Sequence, residues 1–255
     1  RADTAGSILT VTAVAGGSAE IAIIAEDGKG GNVSTSFMIT INRPPAQIRA
    51  LADRTLLLGG SAITFDINSP SVFSDPDGDP LSFRVEAGPP NLVAASLAGS
   101  VLTLVPLAGG SATITIFAED GRGGSAAVGF IALVNRAPRV QQNIDAKVLM
   151  LGGAPLTLNV EAPAIFSDPD GDVLSYNANA NAPNIARVDL ANKVLTVTAL
   201  AVGNAQITIN ADDGKGGTAS TSFAVTVAQN HAPTIANAIL NQTILLGGAP
   251  FVRDL

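Results

Sequence analysis

Bulky apolar residues alternate with polar ones along most of this chain. In Ala112-Thr113-Ile114-Thr115-Ile116 the alanine and the two isoleucines occupy every second position. This puts them on one face of a strand and the threonines on the other. Phe223-Ala224-Val225-Thr226-Val227 alternates in the same way. No segment of useful length has the period of a helix, so the pattern predicts an all-β protein.

Turn-forming residues separate these segments at intervals of about 8–12 residues, which is typical of an Ig-like Greek-key β-sandwich with about seven strands. The strands predicted within residues 42–134 lie near Thr55–Leu58, Ala62–Ile67, Leu81–Glu86, Ala94–Leu97, Val101–Val105, Ala112–Ala118 and Ala126–Val134.

Two motifs recur along the chain in a fixed order, an Asp-Gly-Lys/Arg-Gly-Gly turn and then a linker that begins with asparagine. Successive linkers begin 93 residues (135 − 42) and 95 residues (230 − 135) apart. Because a fixed period marks a tandem array, we predict two complete modules, residues 42–134 and 135–229. Residues 1–41 are interpreted as the C-terminal part of an earlier module, and residues 230–255 as the N-terminal part of a further one.

Composition narrows the range of functions. The chain has a net charge of −7 at pH 7 and no cysteine, so we expect no nucleic-acid surface, disulfide framework or thiol nucleophile. No apolar run reaches the roughly 18 residues that a membrane-spanning helix needs. The single histidine, His231, lies in a linker, where a general base lacks partners. We therefore predict no enzymatic activity.

Each complete module carries the sequence Phe-Ser-Asp-Pro-Asp-Gly-Asp, at residues 73–79 and 166–172. Three carboxylates at alternate positions of such a loop can converge on one point, where a hard cation such as Ca²⁺ would relieve their repulsion. The alternative is a plain turn, because Asp-Pro and Asp-Gly are turn dipeptides. A turn gains nothing from a third aspartate, which favours the Ca²⁺ interpretation.

The Asp-Gly-Lys/Arg-Gly-Gly segments are interpreted as hairpin turns, in which Asp-Gly favours a type I′ geometry. They do not indicate a phosphate-binding loop, because strand-like rather than helical sequence follows them.

In their order and spacing, the linker Asn-x-x-Pro, the aspartate-rich loop and the Ala-x-Asp-Gly-x-Gly-Gly turn resemble the cadherin superfamily. The resemblance is to its dystroglycan-type cadherin-like repeats and to bacterial Ig-like repeats, and it covers nearly the whole chain. It implies calcium between successive modules, held by the linker and by two loops of the following module. The ligands it implies are Asn42, Asp75, Asp77, Asp79 and Asp120 at one site and Asn135, Asp168, Asp170, Asp172 and Asp213 at the next.

The same resemblance assigns Asp27 to an earlier site. The aspartate-rich linker of cadherins is reduced here to one asparagine, so we expect about one ion per junction, bound at roughly 10⁻⁴–10⁻³ M as in other extracellular modules.

These features predict an extracellular or cell-surface repeat region, a stalk, fibre or filament-forming adhesin segment that calcium stiffens at its junctions. The expected partners are other modules of the same long chain, further copies in a fibre, or a cell-surface partner. The alternative is a module that recognises a glycan or a partner protein directly. Strand addition between residues 1–41 and residues 230–255 of a neighbour is disfavoured, because the two pieces together lack the aspartate-rich loop.

Overall fold

A computed structural model describes residues 1–230, 234–235 and 240–252. These residues form 22 β-strands and no helix, as the alternation predicts. The strands are β1 (Ala2–Ala5), β2 (Ile8–Val11), β3 (Gly17–Glu26), β4 (Asn32–Ile41), β5 (Ala46–Gln47), β6 (Arg54–Leu57), β7 (Ile63–Asp66), β8 (Phe73–Ser74), β9 (Ser82–Gly88), β10 (Val93–Ala98), β11 (Val101–Pro106), β12 (Gly110–Glu119), β13 (Ser125–Asn135), β14 (Arg139–Val140), β15 (Lys147–Met150), β16 (Leu156–Asn159), β17 (Phe166–Ser167), β18 (Ser175–Ala180), β19 (Ala186–Ala191), β20 (Val194–Ala199), β21 (Gly203–Asp212) and β22 (Thr218–Ala228).

The first complete module consists of two sheets and a short ribbon. One sheet has the order β6-β13-β12-β9 and the other β10-β11-β7, while β5 pairs with β8. Neighbouring strands are antiparallel except β6 and β13, which run parallel. All seven strands predicted for this module are present. The two-residue strands β5 and β8 were not predicted, because two residues are too few to produce an alternating pattern.

The second complete module repeats this arrangement strand for strand. Its sheets have the orders β15-β22-β21-β18 and β16-β20-β19, its ribbon pairs β14 with β17, and its parallel pair is β15 with β22. The register is also repeated, since Gly110 lies opposite Val134 and Gly203 lies opposite Val227. The two modules can therefore be compared position by position.

Each complete module has its own hydrophobic core, built from both of its sheets. The inward-facing isoleucines of the central strands, Ile114 and Ile116 in one module and Ile207 and Ile209 in the other, are fully buried. Burial of apolar surface at about 25 cal/mol per Å² is the main stabilising contribution in such a core. The predicted fold class, tandem Ig-like β-sandwiches, is confirmed.

The two ends of the chain repeat parts of the same design. In the hairpin of β3 and β4, Gly17 lies opposite Ile41, which is the register of the two complete modules. Near the other end, the N–H of Gly248 donates to the carbonyl of Leu245, as Gly60 donates to Leu57. His231, which we predicted to be non-catalytic, lies outside the described residues.

The prediction of a type I′ turn at Asp-Gly is wrong. The last pair of the β12–β13 hairpin is Glu119 with Ser125, so five residues form the connection. Positive φ angles occur at Gly121 (72°) and Gly123 (96°), but a two-residue type I′ turn needs positive φ at adjacent positions. The Asp120 side chain shapes a wider loop instead, because its Oδ1 accepts the backbone N–H groups of Arg122 and Gly124.

Candidate cation site at the module joints

Two joints of the chain bring the predicted site residues together. The first joint comprises Asn42, Arg43, the loop 75–79 and the turn 120–124. The second joint comprises Asn135, Arg136, the loop 168–172 and the turn 213–217. Asn135, with which the second predicted module begins, is the last residue of β13, a strand in a sheet of the first complete module. The loop and the turn of the second joint belong to the second module. Each joint therefore spans a module boundary.

The aspartate-rich loop of the second joint is folded around its first aspartate. Asp168 Oδ1 accepts the backbone N–H of Asp170 at 2.8 Å and of Asp172 at 3.1 Å. Gly171 permits this fold because its φ is 79°, a value that residues with a side chain rarely adopt. Carboxylate oxygens of Asp168, Asp170 and Asp172 lie within 4.8 Å of one another as a result.

The first joint has the same loop. Asp75 Oδ1 accepts the N–H of Asp77 at 2.8 Å and of Asp79 at 3.1 Å. Oxygens of these three aspartates again lie within 4.8 Å of one another.

The turn 213–217 connects its aspartate to the asparagine of the preceding strand. Asp213 Oδ1 accepts the N–H of Lys215 at 2.7 Å and of Gly217 at 2.9 Å. Its Oδ2 accepts Asn135 Nδ2 at 2.7 Å, and both side chains are buried. Burial raises the pKa of Asp213, but the hydrogen bonds from Asn135 and from the Lys215 and Gly217 N–H groups outweigh it, so the pKa is lowered.

In the first joint Asn42 Nδ2 donates to Asp120 Oδ2 at 2.6 Å. This hydrogen bond is the main cause that lowers the pKa of Asp120. Asp27 forms the same kind of turn, accepting the N–H groups of Lys29 and Gly31.

The middle aspartate of each loop is held by the arginine of the linker. Asp170 Oδ1 accepts Arg136 Nε at 2.8 Å, and its Oδ2 accepts the Arg136 backbone N–H at 2.6 Å. Arg43 and Asp77 repeat these contacts at 2.9 and 2.7 Å. The side-chain hydrogen bond from Arg43 is the main cause that lowers the pKa of Asp77.

A second basic residue faces the last aspartate of each loop. Lys215 Nζ lies 2.5 Å from Asp172 Oδ1, and Arg122 Nε lies 3.1 Å from Asp79 Oδ1. The hydrogen bond to Asp172 raises the pKa of Lys215. The loop and the turn of each joint are thereby connected.

Within the part of the chain that the structure describes, three buried oxygen atoms at each joint have no hydrogen-bond partner, and all of them can only accept. They are Asn42 Oδ1, Asp75 Oδ2 and Asp79 Oδ2 at the first joint, and Asn135 Oδ1, Asp168 Oδ2 and Asp172 Oδ2 at the second. Asn135 is the most enclosed of these residues, with only 1 % of its surface exposed.

All ten candidate ligands therefore lie at the two joints, in two groups of five. The mutually close carboxylates at each joint are the three of the loop, and Asp120 and Asp213 are connected to the asparagines instead. Sequence reasoning missed Arg43 and Arg136, which engage both oxygens of Asp77 and Asp170. A signal for them existed, because an arginine follows each of the two joint asparagines.

Residues 135–226 match the family model of the bacterial Ig domain, which agrees with the Ig-like sandwich described above. No curated protein matches the chain.

Among solved structures, a three-Ig fragment of titin is 14 % identical, with a TM-score of 0.46 and coverage of 74 % of this chain and 67 % of the titin fragment. Immunoglobulin domains 1–4 of Sidekick-1 are 13 % identical, with a TM-score of 0.43 and coverage of 80 % and 57 %. An endo-fucoidan hydrolase of glycoside hydrolase family 107 is 15 % identical, with a TM-score of 0.31, and this chain spans only 39 % of its length.

No helix with the length and apolar character of a membrane span occurs among the described residues.

Proposed function

We propose that this chain is a stalk, fibre or filament-forming segment at the outside of the cell, in which one calcium ion stiffens each joint. The tandem Ig-like modules and the bacterial Ig domain match support a structural or adhesive role. The proposal of a bound ion is supported by the candidate ligands, because the same asparagine and aspartates recur where each complete module meets the preceding one.

The partnerless oxygens are the observation that carries the cation proposal. A buried acceptor without a donor costs about 1–3 kcal/mol, and a charged one costs more. Three such atoms at one joint, Asn135 Oδ1, Asp168 Oδ2 and Asp172 Oδ2, are difficult to explain as a plain turn. Ca²⁺ takes carboxylate and amide oxygens in flexible geometry, so this donor set fits it.

The charges at each joint favour a single divalent ion. Around the second joint stand four aspartates, opposed by Arg136 and Lys215, which leaves a net charge of −2. The first joint has the same balance, with Arg43 and Arg122 as its cations. One Ca²⁺ per joint would neutralise the remainder.

A bound ion would stiffen the joint because its oxygen ligands come from two different modules. Asn135 ends β13 of the first complete module, whereas Asp168 and Asp172 follow β17 of the next. An ion bound to oxygens from both sides links the modules and restricts their relative rotation.

The test is a Ca²⁺ titration of the whole chain after treatment with EGTA, following thermal unfolding and hydrodynamic radius together. We expect the melting temperature to rise by mass action on the native state and the radius to report a stiffer chain. The variant combining Asp75→Asn, Asp79→Asn, Asp168→Asn and Asp172→Asn should lose both responses. Asp189→Asn, an exposed strand position, is the matched control and should keep them.

No response of the unmodified chain up to about 10 mM Ca²⁺, above the range for extracellular sites, would refute the calcium proposal. The aspartate loops would then be turns, and the chain a passive array.

A further inference from the structure

The arginine that follows each joint asparagine connects two modules through protein groups alone. Arg136 leaves the end of β13, and its side chain lies against Gly109, just before β12 of the same module. Its guanidinium reaches the loop 168–172 of the next module.

The guanidinium group of Arg136 makes several close contacts with the loop of the next module. Nε and Nη2 both lie close to Asp170 Oδ1, at 2.8 and 2.7 Å, and Nη2 also donates to the carbonyl of Pro169 at 2.5 Å. The backbone N–H of Arg136 donates to Asp170 Oδ2. Charge-assisted hydrogen bonds of this kind are about twice as strong as neutral ones, and these need no metal ion.

The stem of Arg136 requires a glycine beneath it. A Cβ built on Gly109 would lie 2.5 Å from Arg136 Cδ and 2.6 Å from Nε, far inside van der Waals contact. The φ angle of Gly109 is not in the left-handed region, so its backbone conformation does not itself require glycine. The space that the arginine occupies is what excludes a side chain. Gly16 lies under Arg43 in the same way.

The third linker departs from this pairing in three respects. By strand register, Val202 stands where Gly109 stands, one residue before the glycine that opens the central strand. Ala228 takes the position of Asn135, so the linker asparagine, Asn230, comes two residues later. The linker sequence from Ala228 to Pro233 contains no arginine or lysine. Glycine and arginine are thus present together at two joints and absent together at the third.

We propose that Arg136 with Gly109, and Arg43 with Gly16, form metal-independent clasps that fix the angle between successive modules. The sequence from Val202 to Pro233 contains neither the glycine nor the arginine of this pair at the matching positions. The clasp thus limits the joint angle without calcium, and a bound ion would restrict it further, which separates this inference from the calcium proposal.

The test is a distance measurement across the second joint by pulsed electron spin resonance. Because the chain has no cysteine, Ser96→Cys and Asp189→Cys, exposed positions in the two complete modules, give unique labelling sites. In EGTA the labelled chain should show a narrow distance distribution. Arg136→Met, which keeps the stem but loses the guanidinium, and Gly109→Val should each broaden it by about twofold or more. Arg43→Met, at the other joint, is the matched control and should leave it unchanged.

An unchanged distribution in Arg136→Met would overturn the clasp. So would broadening accompanied by loss of the dispersed NMR signals of either module, because the arginine would then stabilise the fold of a module rather than the joint. Adding Ca²⁺ to Arg136→Met should narrow the distribution again. If it does not, the calcium proposal fails while the clasp stands.

Discussion

The cores of the two complete modules differ far more than their joints do. Ile67 and Val72 of the first core correspond to Val160 and Ile165 of the second. The larger side chain therefore stands at the first of these positions in one core and at the second in the other. Phe65, which packs edge-to-face on Phe130, corresponds to Leu158. At the joints, by contrast, all five candidate ligands are of the same type, and the asparagine-to-aspartate hydrogen bonds measure 2.6 and 2.7 Å.

This difference reflects two kinds of constraint. A core tolerates exchanges that conserve total volume, because apolar contacts are not directional. A joint holds directional hydrogen bonds to buried charges, such as the one that Asn135 donates to Asp213 Oδ2. Removal of one group there leaves another uncompensated. The repeat therefore keeps the type of every candidate ligand at the joints, whereas some core positions exchange one apolar side chain for another.

The largest effect should come from a cavity at a matched core position. Ile114→Ala and Ile207→Ala remove equivalent, fully buried side chains, and each should lower the free energy of unfolding of its own module by about 2–5 kcal/mol. Urea unfolding followed by NMR signals of each module measures this. Equal destabilisation of both modules by one substitution would show that they unfold as one unit.

Loss of the joint asparagine should have a smaller effect, and a different one at each joint. Asn135→Ala leaves the buried Asp213 Oδ2 without its donor, which should cost about 1–3 kcal/mol. Asn42→Ala should cost less, because Asn42 is only half-buried and water can replace the lost donor. Chemical denaturation in EGTA measures both without a contribution from calcium. A larger loss for Asn42→Ala would contradict this ranking.

Exchange of the two core side chains tests whether volume alone matters. Ile67→Val should cost about 0.5–1.5 kcal/mol, and Val72→Ile about 1–3 kcal/mol through overpacking. Together they recreate the pair found in the second module. The double variant should therefore lose less stability than the sum of the single variants, by about 0.5 kcal/mol or more, the smallest coupling usual for residues in contact. Additive losses in the double-mutant cycle would mean that the rest of each core dictates the choice.

Lowering the pH should have the smallest effect on the stability of the modules. The pKa values of Asp120 and Asp213 are lowered from 3.8 in the folded chain. Their contribution to stability is therefore complete above pH 3.8 and is lost as the pH falls through the folded values. In EGTA, melting temperature measured against pH should decline below that point, and Asp213→Asn should flatten the decline for the second module. A decline that begins near neutral pH would point to other groups.

The sequence predicted the strands of the first module and the asparagines and aspartates that meet at the joints, but not the arginines or the contacts between these residues. Alternation over five or more residues is a local signal, so strands as long as β12 were found, whereas β5 and β8 were too short. The aspartates were found because they recur with the period of the module. The roles of Arg136 and Gly109 depend on residues about 30 positions apart meeting in space, which no local pattern reports. The five-residue connection at Asp120 was missed because the side chain, not the Asp-Gly backbone, shapes it.

The parallel pairing of β6 with β13 has a mechanical consequence. Ala132 to Asn135 lie beside Arg54 to Leu57 in the same direction, and the N–H of Leu58 donates to the carbonyl of Asn135 at 2.8 Å. A pull on the two ends of the module drags these strands past each other along their length. Their hydrogen bonds then carry the load together instead of opening one after another, so tension along the array meets resistance in shear.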